Sequence, residues 1–190
     1  MSQLTESINQ MVALTSEERE IIEKAYKTVH IPKGAFWVEQ GKRCKEVGFV
    51  VSGKLRFYYH DEDGNEITCY FITEGQFMSS FTSFLTNAPA RENVVTIEDT
   101  ELRVINQEEL EALSVLVPKM HVFRRINAEN LFISMEKRVN MLQSQSAFER
   151  YEKMLHESPD IILSVPLQYT ASFLGITPQH LSRIRKELTK

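Results

Sequence analysis

The chain has 190 residues, of which 42% are hydrophobic, enough for one or two domains with a buried core. Its two cysteines, Cys44 and Cys69, are too few for a disulfide framework, a four-cysteine zinc site or an iron–sulfur cluster, and no apolar run is long enough to span a membrane. The net charge of −4 divides into −8 over residues 1–118 (11 Lys and Arg, 19 Asp and Glu) and +4 over residues 119–190 (11 and 7), a pattern that predicts an acidic regulatory domain joined to a basic, DNA-contacting end.

The N-terminal region is predicted to be helical. It is not predicted to be a signal peptide, so the protein is expected in the cytoplasm. Its first ten residues, MSQLTESINQ, lack the basic and apolar segments of a signal peptide. Apolar residues recur at helical spacing over residues 4–29, and Thr15 followed by Glu18 forms a capping box that opens a second helix.

From about Val29 the apolar period changes from helical spacing to two. Four glycines recur at intervals of 12, 11 and 11 residues: Gly41, Gly53, Gly64 and Gly75. Strand-like runs lie between them, at residues 47–51, 54–60 and 67–72. Regular short strands separated by turn glycines predict an antiparallel jelly-roll barrel.

The run KLRFYYH at residues 54–60 alternates strictly in polarity. Leu55, Phe57 and Tyr59 are predicted to share one apolar face, opposite Arg56, Tyr58 and His60. The following DEDGN sequence predicts a hairpin turn.

An enzymatic jelly roll is the weaker hypothesis for this barrel. A metal-dependent enzyme of this shape needs clustered histidines and a carboxylate, whereas His30 and His60 are isolated and no His-x-His sequence occurs. No G-x-S-x-G sequence supplies a nucleophile either. Neither catalytic residues nor a metal site is therefore predicted.

Residues 74–97 interrupt the strand pattern with a short helix, a loop and a strand from Asn93. Ser79 and Ser80, at the predicted helix start, offer hydroxyl and N–H groups to an anion, and Arg91 is able to neutralise a phosphate or carboxylate. The alternative is an ordinary helical insert in which Arg91 pairs with Glu92.

A long helix is predicted from Pro118 to about Gln145, after a short helix over residues 108–116. Two apolar rows follow it, one formed by Ala128, Leu131, Met135, Val139 and Leu142, the other by Val122, Ile126 and Ile133. So wide an apolar band needs two surfaces to cover it, and we expect one to be the barrel and the other a second subunit. The alternative is that both rows pack within the chain.

The C-terminal region predicts a hinge followed by a helix-turn-helix. Ser146 and Glu149 form a capping box that starts a new helix after the long one. Within residues 167–186, Gly175 suits a left-handed residue between two helices, and Thr177 and Pro178 suit the start of the second. The residues expected to face a common core are Leu174, Ile176, Leu181 and Ile184.

The second helix of this motif carries the predicted DNA-binding residues. With the cap residue Thr177 they are Gln179, His180, Ser182, Arg183, Arg185 and Lys186. Gln179 and Arg183 lie four residues apart on one face and have the chemistry to bind adenine and guanine, whereas Ser182, Arg185 and Lys186 are assigned to phosphates. The alternative is a helical hairpin with a solvated basic face.

The chain resembles the Crp/Fnr family of bacterial transcription regulators over nearly its whole length. The glycine-punctuated barrel and the segments FMSSFTSFLTNAPARENVV and ASFLGITPQHLSRIRKEL carry the resemblance. It implies an α+β fold with three parts: a cyclic-nucleotide-binding-like jelly-roll domain (1–117), a long dimerisation helix (118–145) and a helix-turn-helix domain (146–190). It also implies a homodimer on a two-fold-symmetric operator, with recognition helices about 34–36 Å apart, and contact with RNA polymerase.

The predicted effector pocket departs from the cyclic-nucleotide-binding members of that family. Met78-Ser79 replaces their Gly-Glu pair, and Glu92-Asn93 follows Arg91 where they carry Ser-Ala or Thr-Ala, so Glu92 would repel a cyclic phosphate. In relatives the long helix also contributes polar residues that contact the base of the bound nucleotide. Here only Ser134 of that helix is suited to this contact. The resemblance thus assigns the pocket to Ser79, Ser80, Arg91, Glu92, Asn93 and Ser134, with cyclic AMP not expected as the ligand and no other cofactor.

Two functional hypotheses remain from the sequence. The first is a dimeric, sequence-specific DNA-binding regulator whose barrel responds to an unidentified small ligand, to a partner protein, or to nothing. In its recognition helix Pro178-Gln179 replaces the Arg-Glu that is common in the family, while Arg183 is kept, so the operator is expected to differ. The second is a sensor or scaffold protein whose C-terminal helices bind a protein instead of DNA.

Overall fold

The computed structural model of the protein describes residues 2–188. Within that range the strands are β1 (Lys27–Ile31), β2 (Phe36–Val38), β3 (Glu46–Ser52), β4 (Lys54–His60), β5 (Glu66–Thr73), β6 (Phe77–Met78), β7 (Asn93–Thr96) and β8 (Thr100–Asn106). The helices are α1 (Gln3–Met11), α2 (Ser16–Ala25), α3 (Phe81–Thr86), α4 (Gln107–Leu116), α5 (Lys119–Ser144), α6 (Ala147–Glu157), α7 (Pro159–Ser164), α8 (Leu167–Leu174) and α9 (Pro178–Leu188). Residue 1 and residues 189–190, at the ends of the first and last predicted domains, lie outside the described range.

The chain divides into two compact units. The first comprises residues 1–57 and 72–130, and the second comprises residues 58–71 and 131–190. The tip of the β4–β5 hairpin and the second half of α5 therefore group with the C-terminal helices. The sequence predicted three functional parts, with boundaries after residues 117 and 145. That division stays a prediction.

The strands form the predicted antiparallel jelly roll. One sheet has the order β1-β8-β3-β6 and the other the order β2-β7-β4-β5. Gly53, with φ of +100°, makes the tight turn from β3 to β4, where a Cβ atom would lie only 2.4 Å from the Oγ1 of Thr100. A side chain larger than hydrogen therefore has no room at this turn.

Two sequence-based predictions about this region were wrong. The helical prediction over residues 4–29 ran too far, because α2 ends at Ala25 and residues 27–31 instead pair with β8 over five residues. The alternation predicted for β4 fails because the strand is covered on both faces: Arg56 is 1% exposed and Tyr58 is buried, whereas Tyr59 is exposed. Polarity alone misassigns a strand of this kind.

The core of the first unit lies between the helices and the β3–β8 sheet. Its fully buried members include Leu4, Ile8, Ile22, Phe49, Ile105, Leu113 and Met120. The start of α5 belongs to this core, since Met120 and Phe123 are buried and the Phe123 ring lies 5.0 Å from that of Phe77. The row of α5 that covers the barrel is thus the one containing Met120 and Phe123. Of the predicted flanking row, Ile126 is partly buried against this core and Val122 is exposed.

The rest of α5 leaves three members of the first predicted row exposed, together with Phe132, which belonged to neither row. Phe132 is 70% exposed, Met135 and Val139 are each 50% exposed, and Leu142 is also exposed. The helix is 26 residues long, one residue shorter at each end than the predicted span of 118–145. Within the described residues no helix is long and apolar enough to cross a membrane.

Candidate nucleic-acid interface

Residues 167–188 form the helix-turn-helix predicted from the sequence. Gly175 ends α8 in the left-handed conformation, with φ of 68°, and its N–H donates to the Ser172 carbonyl while that of Ile176 donates to the Ala171 carbonyl. These two bonds are the Schellman arrangement, which turns the chain sharply at the end of a helix. The Oγ1 of Thr177 then accepts the N–H of His180 at 3.2 Å and so caps α9.

The two helices of the motif meet through small and aliphatic side chains. Ala171, Leu174 and Leu181 are fully buried, and Ile184 is nearly so. Ile176, predicted in the same core, is only partly buried. These contacts fix the face that α9 turns inward, and with it the face left for a ligand.

The outward face of α9 carries four of the predicted DNA-binding residues in accessible positions. Gln179, His180, Arg183 and Lys186 are all exposed. Gln179 and Arg183 lie one helical turn apart, so their amide and guanidinium groups project from the same face. Such a pair of side chains suits the donor and acceptor pattern of base edges in a major groove.

Ser182 and Arg185 are held within the second unit. The Ser182 hydroxyl donates to the Pro178 carbonyl at 2.9 Å, a bond within α9 itself. The Arg185 guanidinium lies over the Tyr151 ring, 5.7 Å from its centroid, and therefore contacts α6. The assignment of these two side chains to phosphates stays a prediction.

The predicted effector residues of the first unit are mostly engaged in bonds of their own. Ser79 is buried, and its hydroxyl donates to the Glu46 carbonyl at 2.9 Å. Asn93 is buried too, and its Oδ1 accepts the N–H of Gln40 at 2.9 Å. Ser80 is fully buried, and its hydroxyl has no hydrogen-bond partner among the described residues.

Arg91 and Glu92 do not form the local ion pair that was the alternative for this segment. Arg91 is exposed and makes no salt bridge with any residue in the described part of the chain, and Glu92 is partly exposed. Ser134 is exposed on the part of α5 that belongs to the second unit. Among residues 2–188 no group of His, Cys, Asp or Glu side chains is arranged to hold a metal ion.

Comparison with known proteins agrees with this architecture. Residues 28–114 match the family model of the cyclic nucleotide-binding domain. FixK2 from Bradyrhizobium japonicum is 20% identical, with a TM-score of 0.75 over 86% of this chain and 84% of that one. The c-di-GMP-responsive global regulator CLP from Xanthomonas campestris is 18% identical, with a TM-score of 0.72 over 92% of each chain. A putative Crp/Fnr-family regulator from Eubacterium rectale is 19% identical, with a TM-score of 0.71 over 93% of this chain and 84% of that one. The chain has the Crp/Fnr fold. A search of curated protein sequences finds no match.

One buried serine of this Crp/Fnr fold, next to the predicted effector residues, was not predicted from the sequence. Ser83 is fully buried in α3, where its hydroxyl donates to the Ala88 carbonyl at 2.6 Å and accepts the N–H of Cys44 at 2.9 Å. Ser83 therefore fixes the loop after α3 instead of facing a ligand. Its position on the inner face of a six-residue helix was not readable from so short a segment.

Two arginines that support the helix-turn-helix of the Crp/Fnr fold were also missed. Arg138, on α5, donates from Nη2 to the Phe173 carbonyl, and its guanidinium stacks on the Phe173 ring at 3.9 Å. Arg150, on α6, donates from Nε to the Leu174 carbonyl at 2.9 Å and from Nη1 to the Gln145 carbonyl at 2.6 Å. Neither arginine belongs to a motif, so only the fold reveals them.

The electrostatics around Arg138 reflect its burial. Burial lowers the pKa of its guanidinium, the nearby charge of Arg150 lowers it further, and Tyr70, Cys69 and Tyr59 oppose that shift. Both guanidinium groups nevertheless lie at the C-terminal end of α8, where the helix dipole favours positive charge. At the start of α6 a negative charge is favoured instead. There the N–H and hydroxyl of Ser146 bond to Glu149 and hold the pKa of its carboxyl below its usual range.

Proposed function

We propose that the protein is a homodimeric, sequence-specific DNA-binding transcription regulator of the Crp/Fnr family that acts in the cytoplasm. The observation that supports this most directly is the exposed Gln179 and Arg183 pair on one face of α9, in a helix-turn-helix that follows a cyclic nucleotide-binding domain. Within residues 2–188 neither side chain makes a hydrogen bond or an ion pair, so both are available to base edges. The +4 charge of residues 119–190 favours approach to DNA despite the acidic first domain.

The exposed apolar row of α5 supports a second copy of the chain as the partner. Phe132, Met135, Val139 and Leu142 recur at steps of three and four, as in a helix that packs against a parallel or antiparallel equivalent. Large exposed apolar rows of this kind are unfavourable in water. A dimer covers the row on both chains and at the same time brings two recognition helices to one operator.

Arg183→Ala is expected to relax base preference. Loss of a bidentate contact to a base costs about 1–3 kcal/mol, so affinity for an operator selected from a random DNA pool should fall by roughly 5- to 150-fold, with much less change on random DNA. Gel-shift titrations of both duplexes at one salt concentration measure this. Equal weakening on both would remove Arg183 from the base-reading residues.

Lys186→Ala is the matched control on the same helix. An exposed lysine that contacts phosphate contributes equally to every sequence, so this variant should weaken both duplexes alike and flatten the dependence of affinity on salt. A protein that shifts neither duplex at low salt would instead favour the protein-binding hypothesis for the C-terminal helices.

Cyclic AMP is not expected to be the effector. The Ser79 hydroxyl is occupied by the Glu46 carbonyl, and the carboxylate of Glu92 follows Arg91, where it would repel a cyclic phosphate. At a concentration one hundred times its Kd, a ligand that binds only the folded state would stabilise the protein by about 2.7 kcal/mol. We therefore expect millimolar cyclic AMP to leave the thermal unfolding temperature and the operator affinity unchanged.

Glu92→Ser supplies the control for that prediction. If repulsion by Glu92 is one of the obstacles, this variant should respond to cyclic AMP more strongly than the unmodified protein does. Thermal unfolding followed by the fluorescence of Trp37, the only tryptophan in the sequence, measures both proteins in the same way. A clear rise in unfolding temperature for the unmodified protein would show the prediction to be wrong.

A further inference from the structure

The C-terminal end of α8 is held by four donors of the second unit, two from the turn that follows it and one each from α5 and α6. The last four carbonyls of a helix have no partner within it. Here the N–H groups of Gly175 and Ile176 satisfy the carbonyls of Ala171 and Ser172. The other two carbonyls, of Phe173 and Leu174, accept from Arg138 and Arg150 as described above. The first helix of the helix-turn-helix is thus bonded to both α5 and α6.

A single serine joins the same helix to the edge of a sheet. β5 is the edge strand of its sheet, and the edge of a strand presents unpaired N–H and C=O groups. The Ser172 hydroxyl donates to the Glu66 carbonyl at 2.8 Å and accepts the N–H of Thr68 at 2.9 Å. One side chain therefore satisfies two successive backbone groups of that edge, as a neighbouring strand would do.

An aromatic contact lies beside these two bonds. The ring of Phe173 lies 5.4 Å from that of Phe71, near the end of the hairpin segment in this unit, while its other contact is the guanidinium of Arg138. Phe173 is therefore placed between the hairpin and α5. We call the two Ser172 bonds and the Phe71–Phe173 contact the hairpin latch.

The geometry points to the hairpin latch as the device that sets the orientation of the recognition helix. The latch leaves Gln179 and Arg183 exposed, so it does not block the DNA-contacting face. It acts on α8, which in turn fixes α9 through the buried Leu174 and Leu181. β4 and β5 each have residues in both units, and Ser172 bonds to β5 at Glu66 and Thr68. Ser172, Phe71 and Arg138 are thus positioning residues, and this inference rests on the proposed DNA-binding function.

Ser172→Ala tests the latch without threatening the helix, since alanine is the residue most favourable to helix formation. The wild-type protein first selects an operator from a random DNA pool, and the two half-sites are then moved apart by one and two base pairs. We expect a two-base-pair insertion to weaken wild-type binding on the order of 100-fold but Ser172→Ala binding at most about tenfold, because only a fixed orientation enforces the spacing. Affinity for a single half-site should be the same for both proteins.

Ser164→Ala is the matched control, because among residues 2–188 the Ser164 hydroxyl bonds only to the Asp160 carbonyl of its own helix. It should keep the wild-type spacing preference. Amide hydrogen exchange gives a measurement that needs no DNA: the Thr68 N–H should exchange faster in Ser172→Ala and not in Ser164→Ala.

The outcomes separate the inference from the proposed function. If the wild-type protein selects no DNA at all, the proposed function fails, and the latch as a DNA-orienting device fails with it. If the wild-type binds its operator but Ser172→Ala keeps the same spacing preference, only the latch is overturned. If Ser172→Ala lost as much affinity for the single half-site as for the operator, the latch would also be overturned. Ser172 would then act on the recognition helix itself.

Discussion

Replacing Met135 and Val139 together by glutamate is expected to convert the proposed dimer to a monomer and to lower operator affinity by at least about 100-fold. Both side chains are half exposed in the single chain, so the charges cost little in the fold of one subunit. In a helix–helix interface the same carboxylates would be buried without partners, at a cost of several kcal/mol each. Loss of the second recognition helix removes a bivalent advantage of about 10²–10⁴.

Light scattering gives the mass of the variant, and gel shifts on the selected operator give its affinity. Lys137→Glu is the matched control, since it changes the net charge by the same −2. Lys137 is exposed and lies two residues from Met135, so it points away from the apolar row. A double variant that keeps the mass of a dimer would show that the second copy covers some other surface.

Local signals in the sequence were enough to place α6, α8 and α9, although not the six-residue α7. The capping box of Ser146 and Glu149 is formed by the predicted atoms, with the Ser146 N–H donating to the Glu149 carboxylate at 2.7 Å. Gly175 has the left-handed conformation expected between two helices. These features depend on neighbours within three or four residues, so the sequence contains all the information that they need.

Contacts between distant parts of the chain were not predictable in the same way. Ser172 bonds to Glu66 and Thr68, more than one hundred residues earlier, and nothing in a serine on a short helix indicates that partner. Arg56 shows the same limit, because its place on an alternating strand predicted exposure, whereas its side chain is only 1% exposed in the fold. The effector residues were assigned by resemblance, and only the fold shows that the Ser79 hydroxyl is already used.

Truncating a buried side chain inside the helix-turn-helix is expected to lower its stability strongly. Leu181→Ala is expected to lower the free energy of unfolding of the second unit by about 2–5 kcal/mol, because it removes fully buried methyl groups and leaves a cavity. Helices of eight and 11 residues have too few internal bonds to be stable alone, so they depend on this contact. Operator binding should be lost with the folded motif.

Urea unfolding followed by two probes shows which of the two units is destabilised. Trp37 belongs to the first unit, so its fluorescence reports that unit, whereas far-UV circular dichroism reports the helices of both. In Leu181→Ala the dichroism should begin to fall at a lower urea concentration than the fluorescence does. Leu188→Ala, at a 39% exposed position on the same helix, should stay within about 0.5 kcal/mol of the unmodified protein. Coincident shifts of both probes in Leu181→Ala would mean that the two units unfold as one, and that the stability of the reading motif is set by the barrel and not by its own small core.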